Sequence, residues 1–567
     1  MKEKSTDYLL SQIKRLKVDH VFGLTGGAIA NQMDAFSRSD LQFIGVQHEQ
    51  AAAMAVEAYS KLRGYGVAMA TSGPGGTNLI TGMHGCYYDS VPSLFITGQV
   101  STFDIRTNKV RQKGFQEVDM VGNMTPFTKY SSLVGLGELP EKLEKAVNIS
   151  LDRRQGPVHL DIPMDVQQEE GEYRPIGLEQ KETHKVDVSQ VCDLISKSER
   201  PVLIVGNGIR MAGADVLELA DKLGWPVLPS WGQADLHHPN KIGLFGVYGN
   251  RGANYAVQNA DLILSIGCRL DTRMTGSNPK QFAREAVKII VDIDPTELDK
   301  GVVGADLPIE ADAKDFIESL MGADIKTKDV SGWLERCKQW VKKYPDITPE
   351  HYQGELISPY AFVRTLSEES GKGDIIIPDA GANMAWMYQA FDVKKGQRFF
   401  TSMGNSPMGY SLPAAIGAEL ACPDRRVIAT IGDGGFQINS QELQTVKNYG
   451  LNTKLFVFNN KGYGLIRQFQ DLYLGGRHVD TREGTPDFSK VARAYGWRAI
   501  DISKPSELRQ LVRQSLDTDG PVLTNVHIDP DSVVLPRAIF GKPIEEQHPF
   551  LPDDEVNSNM IVKRWNF

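Results

Sequence analysis

The feature that most constrains this chain is the run Ile431-Gly432-Asp433-Gly434-Gly435, read together with Asn459-Asn460 downstream. Residues 426–431 read as a buried strand. Residues 438–448 place Ile438, Leu443 and Val446 on a helical spacing, with Gly450 as a stop, and 455–458 read as the next strand. Strand, glycine turn, helix and strand make the unit of a parallel sheet, whose ligands gather beyond the carboxyl ends of adjacent strands. Both motifs are therefore expected at one crevice. Glycines flanking Asp433 let the backbone approach an anion closely. A hard cation such as Mg2+ takes oxygen ligands and shares them with phosphates. Asp433 offers a carboxylate oxygen, Asn460 an amide oxygen and Gly462 a carbonyl. Gly-Asp-Gly alone is equally well explained by a tight turn with a helix cap; the paired asparagines at this spacing favour a metal–diphosphate site.

The same unit recurs along the chain. A helix over 8–16 precedes strands at 21–24, 43–46 and 67–70, with glycine turns at 25–28 and 71–76 and a helix at 51–62. Strands at 202–205, 261–266 and 289–293 end in Gly206-Asn207-Gly208, in Gly267 to Arg273 and at Asp292. A strand at 374–377 leads into Asp379-Ala380-Gly381-Ala382-Asn383, and a helix is expected at 412–421. At 567 residues the chain is too long for one core. The expected class is α/β, with three doubly wound parallel-sheet domains at 1–180, 185–345 and 355–545, a polar linker over 173–186 and a tail at 546–567.

A net charge of -9 argues against nucleic acid as the main partner. No apolar run reaches membrane-spanning length, and the polar N-terminus carries no visible signal peptide. The scattered Cys86, Cys192, Cys268, Cys337 and Cys422 read as inert thiols in a reducing compartment, so a cytoplasmic enzyme with no membrane partner is expected.

The Gly-Asp-Gly-Gly and Asn-Asn combination resembles the signature of thiamine diphosphate (ThDP) enzymes. Over nearly the whole chain it is similar to the acetolactate synthase branch of the pyruvate-oxidase-like superfamily. Locally, Glu49 is a helix N-terminal acid favoured by the dipole; the resemblance makes it the glutamate that bonds N1' of the cofactor's pyrimidine and so promotes loss of the thiazolium C2 proton. In that family the glutamate and the diphosphate site come from different subunits, which implies a homodimer or homotetramer. Phe115-Gln116-Glu117 matches a family motif whose glutamine lies near the reacting carbon, so Gln116 and the Gly27 backbone become donors to an oxyanion. Gly381, Ala382 and Asn383 match the turn that bonds the diphosphate, and Gly432, Gly434, Gly435 and Tyr463 join them. Met408, otherwise a core filler, aligns with the apolar wedge between the two cofactor rings.

Residues 268–276 resemble an FAD-binding stretch, and Arg154 and Asp312 match FAD contacts. The implied flavin site comprises Arg154, Gly206, Asn207, Gly208, Arg269, Arg273, Asp292 and Asp312. Its FAD would be structural, since carboligation needs no net redox. Arg273 also matches an arginine that holds the acceptor's carboxylate. Two features depart from the pattern, a basic run at 106–113 and Phe469 where the family has tryptophan, while the stretch 537–567 resembles the tails of acetolactate-synthase-like proteins associated with cell-surface sugar synthesis and is expected to fold over the active-site mouth. His237-His238 reads as a loop pair.

The expected reaction is decarboxylation of pyruvate and transfer of the two-carbon unit to an acceptor carbonyl. With pyruvate as acceptor the product is 2-acetolactate; with a nucleotide-linked keto sugar it is a branched sugar, as in yersiniose-type carboligases. A non-catalytic cofactor-binding regulator, a flavin-using pyruvate oxidase and a hydrolase of cyclic diones remain open.

Overall fold

The computed structural model describes residues 2–179, 181–299, 303–482 and 484–565. Gln180 of the expected linker, and Asn566 and Phe567 of the expected tail, lie outside the described residues.

Three parallel sheets follow one another. The first has the order Gln42–Gly45, His20–Leu24, Gly66–Ala70, Ser93–Gln99, Pro157–Pro163, Tyr130–Leu133. The second runs Val227–Pro229, Pro201–Val205, Leu262–Ile266, Val287–Asp292, Leu307–Glu310. The third runs Arg398–Phe399, Ile375–Pro378, Val427–Gly432, Lys454–Asn459, Val522–His527, Arg498–Ile502. Helices cover both faces, which is why the inner strands are near-continuous apolar runs rather than alternating ones. Gly432 pairs in register with Phe458, so the ends of the two motif-bearing strands lie side by side, as the spacing predicts.

The third sheet joins the molecule. Ile375 and Ile377 point into a core shared with the first domain, and Ile376 between them points into a core shared with the second. Helix Ser411–Ala421 lies against helix Glu49–Arg63 at backbone distance: a β-carbon on Gly417 would fall 2.1 Å from the Ala55 carbonyl oxygen.

Two expectations need correction. The helix expected over 438–448 is two helices, Asp433–Asn439 and Glu442–Asn448. The break follows Asn439, whose buried amide donates to the Gly409 carbonyl at 2.8 Å, while Leu443 and Val446 turn into the core and Ile438 stays exposed. The tail does not close over the mouth as a unit. Among the described residues its first turn reaches helix Gly464–Tyr473, where Phe540 packs on Phe469 and Tyr473. The rest returns to the second domain: Asn254 donates to the Ile544 carbonyl at 2.9 Å, Asn259 to that of Asn559 at 3.0 Å, and the Trp340 indole to the Asn559 side chain at 3.0 Å.

Candidate functional site

Asp433 opens helix Asp433–Asn439 immediately after its strand and is buried. One carboxylate oxygen accepts the Gly434 N–H at 2.8 Å and the other accepts that of Gly462 at 3.0 Å, so this side chain ties the two motifs together. Gly462 has φ +153°, and a β-carbon there would meet the Thr481 carbonyl at 2.1 Å, which explains glycine at this turn. Its own carbonyl accepts from Gly464 at 3.0 Å, and Tyr463 donates to Thr481 at 3.0 Å. Asn460 is buried beside this turn. Among the described residues, no group of three or more His, Cys, Asp and Glu is placed to hold a metal by itself.

The neighbouring strand Ile375–Pro378 ends in Asp379, whose side chain orders the rest of this edge. It accepts N–H donors from Ala380 at 2.6 Å, Gly409 at 3.0 Å and Tyr410 at 3.3 Å, fixing the loop that carries the exposed Met408. Burial pushes its carboxyl up to about 7. A β-carbon on Gly435 would sit 2.9 Å from that carboxylate. Gly381, at φ +76°, and Gly432 face open space: a β-carbon on either would meet nothing within 4 Å. Ala382 follows Gly381 in the first turn of helix Gly381–Ala390. The Asn383 Nδ2 and Asn459 Oδ1 atoms are buried with no hydrogen-bond partner among the described residues. An open glycine cradle edged by an unpartnered amide donor fits a diphosphate.

A second edge belongs to the first sheet. Glu49 opens helix Glu49–Arg63, is buried, and accepts from the Asn78 amide at 3.0 Å. His48 caps the helix through Nδ1, which accepts the Gln50 N–H at 3.1 Å. A β-carbon on Gly75 would lie 3.4 Å from the Glu49 carboxylate, and one on Gly73 would lie 2.9 Å from the Gln116 carbonyl. Gln116 has φ +58°. Gly27 faces open space, in a turn tied to Thr71 through the Ala28 N–H at 3.2 Å. Glu49, Gln116 and Gly27 thus share one edge built from three turns. The residue before His48, Gln47, donates its N–H to the Glu442 carboxylate of the third domain at 3.1 Å; burial pushes Glu442 up to about 7.

The basic run folds around the buried Glu117, which accepts from the Lys113 N–H at 2.7 Å and pairs with Arg106 at 3.5 Å. Lys109 and Arg111 remain exposed.

Every residue assigned to FAD except Gly206 lines one cavity of about 390 Å³ between the first, second and third domains. Gly206 serves packing instead: a β-carbon there would lie 1.9 Å from the Gly267 carbonyl oxygen. Arg154 pairs with Asp294 at 2.9 Å and Glu297 at 3.1 Å, and Arg269 with Asp271 at 3.2 Å. Asp312 caps helix Ala313–Met321 and pairs with Lys181 of the linker at 2.5 Å. Burial raises the carboxyl of Asp292. Arg273 lies over the Trp231 ring at 5.6 Å. His238, held by Asp221 at 3.1 Å, is a loop residue.

Sequence reasoning missed Asn78, Glu442 and Trp231 as site residues, and took Asp379 only as part of a turn. Asn78 has no local signal; it ends the glycine-rich helix Pro74–Asn78, far from Glu49 in sequence. No helix is long and apolar enough to cross a membrane among the described residues.

Comparison with known proteins agrees with this layout. Three thiamine pyrophosphate enzyme families match: the N-terminal TPP binding domain over 3–122, the central domain over 188–320 and the C-terminal TPP binding domain over 379–526. A probable acetolactate synthase large subunit of Methanocaldococcus jannaschii is 37% identical, covering 93% of this chain and 92% of the relative. The acetolactate synthase isozyme 2 large subunit of Escherichia coli is 33% identical over 98% of this chain and 99% of the relative. The mitochondrial acetolactate synthase catalytic subunit of Saccharomyces cerevisiae is 34% identical over 96% of this chain and 83% of the relative.

Proposed function

Because this chain belongs to the thiamine pyrophosphate enzymes, among the relatives of acetolactate synthase large subunits, we infer that it decarboxylates pyruvate and joins the two-carbon unit to an acceptor carbonyl. The relatives favour this reading over a sugar-directed carboligase or a non-catalytic regulator. The observation that carries it is the Asp433 carboxylate held between Gly434 and Gly462 beside an open glycine cradle.

ThDP, when bound, supplies a carbon nucleophile and the electron sink for decarboxylation. On our reading Glu49 holds the proton exchanged with the pyrimidine, and Asn78 aims its carboxylate. Gln116 and the Gly27 N–H offer hydrogen bonds to the developing oxyanion. Gly381, Ala382, Asn383, Gly432, Gly434, Gly435 and Tyr463 line the diphosphate cradle, with Met408 beside the rings. Asp433, Asn460 and the Gly462 carbonyl would hold Mg2+. One carboxylate with two neutral oxygens leaves room for the phosphate oxygens that such a cation usually shares. Glu49 and Asp433 stand on edges of different domains, and pairing of two copies would join each edge to its complement. We therefore propose a homodimer or a homotetramer built from it, in the cytoplasm. FAD would be held in the cavity that Arg154, Asn207, Gly208, Arg269, Asp292 and Asp312 line, and Arg273 would face the acceptor, a second 2-oxo acid.

Purified protein supplied with ThDP, Mg2+ and pyruvate should release CO2 and form 2-acetolactate, and Glu49→Gln should lose most of that activity. An undiminished rate in the mutant would remove Glu49 from this role.

A further inference from the structure

Arg537 begins the tail's two-stranded ribbon, where it pairs in register with His548. The residue is 4% exposed, and its Nε and Nη1 atoms are buried with no hydrogen-bond partner among the described residues. Its place is fixed from both sides. The Ala538 N–H donates to the Val247 carbonyl at 2.7 Å, and the Gln389 amide donates to the Pro536 carbonyl at 2.8 Å.

What surrounds it is aromatic. The Arg537 guanidinium lies over the Tyr248 ring, 5.6 Å from its centroid. Tyr248 meets Trp231 edge to face at 6.1 Å, and Arg273 lies over Trp231 at 5.6 Å. The Trp231 Nε1 is also buried without a partner. Three residues later the same segment sets Phe540 against Phe469 and Tyr473. A buried donor left unmade is unfavourable, and a charged one more so. Contact with Tyr248 offsets part of that through the ring quadrupole, but it uses none of the in-plane N–H groups. A guanidinium offers those groups as a planar fork that matches carboxylate and phosphate oxygens.

We propose that Arg537, set over Tyr248, is a second binding residue beside Arg273, which the reading above already turns toward the acceptor, and that it completes an oxyanion subsite for a carboxylate or phosphate group. The word acceptor rests on the carboligase reading above; the subsite itself rests on the unpartnered guanidinium. Arg537 is then a binding residue that selects among acceptors, and the tail contributes to specificity.

The test uses the holoenzyme with Arg537→Met, which keeps the bulk and removes the charge, and Arg537→Lys, which keeps the charge and loses the fork. Melting temperatures are compared in pyruvate, 2-oxobutyrate and inorganic phosphate, against chloride at equal ionic strength. The expected result is an oxyanion-dependent rise in the native protein that R537M loses. KM for the acceptor should rise roughly ten- to a hundredfold in R537M, with Lys intermediate. A shift by the keto acids alone names a carboxylate ligand, and a shift by phosphate names a phosphorylated one. If no oxyanion gives an Arg537-dependent shift, or KM is the same in all three proteins, the subsite is overturned. Should R537M fail to fold, R537K decides, since a lysine there must still raise KM. A native protein that released no CO2 from pyruvate would instead defeat the carboligase reading, leaving the melting comparison to decide the subsite.

Discussion

Asn78 donates to the Glu49 carboxylate across 3.0 Å, so the acid proposed to serve the cofactor is aimed from the end of a neighbouring glycine turn. Removing that donor leaves the carboxylate in place but free to rotate. Asn78→Ala is expected to lower kcat for CO2 release by about tenfold or more, since misaligned groups lose much of their effect. Asn78→Asp sets a second carboxylate beside Glu49, and like-charge repulsion there should move the acid limb of the pH–rate profile to higher pH. A purely structural asparagine would lower the amount of folded protein and leave the profile where it was.

Asp433 holds the Gly434 and Gly462 N–H groups, and on the proposed reading it would hold the cation as well. Asp433→Asn removes the charge and one acceptor oxygen. The Mg2+ concentration for half-maximal activity should rise at least about tenfold, and ThDP should bind more weakly. Unchanged Mg2+ dependence in a titration of the variant would move the metal elsewhere.

Glu442 predicts a pH dependence of stability. Burial, the largest effect, raises its carboxyl from 4.5 to about 7 in the fold. A group raised in this way contributes stability fully below its unfolded pKa, and loses it as the pH climbs through the folded value. The window is therefore about 4.5 to about 7. At roughly 1.4 kcal/mol per unit the loss is at most on the order of 3 kcal/mol. Glu442→Gln removes the ionisation, so its melting temperature should gain on the native protein between pH 5 and pH 8. A constant difference across that range would rule Glu442 out.

Much of the fold is legible in the sequence. Strands such as Val427–Gly432 and Leu262–Ile266 are apolar runs closed by glycine turns, and burial on both faces leaves that signature in the sequence. Asp433 and Asn460 stand out by their spacing at strand-to-helix turns, where a local pattern records the geometry, whereas Glu49 reads locally as a helix N-terminal acid and is singled out only by the resemblance. Residues that act across the chain left no such pattern. Asn78 reaches Glu49, Lys181 reaches Asp312 and Glu442 reaches Gln47 only after the turns have been placed in space. The split after Asn439 has the same origin, because a contact to the distant Gly409 carbonyl overrides the helical spacing.

The cavity beside Arg154 makes the flavin question simple to settle. The protein as purified is expected to be yellow with a flavin absorption spectrum. Protein stripped of the flavin should regain a few degrees of melting temperature on adding FAD, as a ligand of the folded state does. A colourless preparation that takes up no FAD would reject the assignment.

The Asn259 amide finds its acceptor three hundred residues later, at the Asn559 carbonyl. On the ribosome, the second domain therefore waits for nearly the whole chain to be made before its surface is finished. A premature stop or a short truncation near the C-terminus would damage a domain already synthesised, rather than trim a dispensable end.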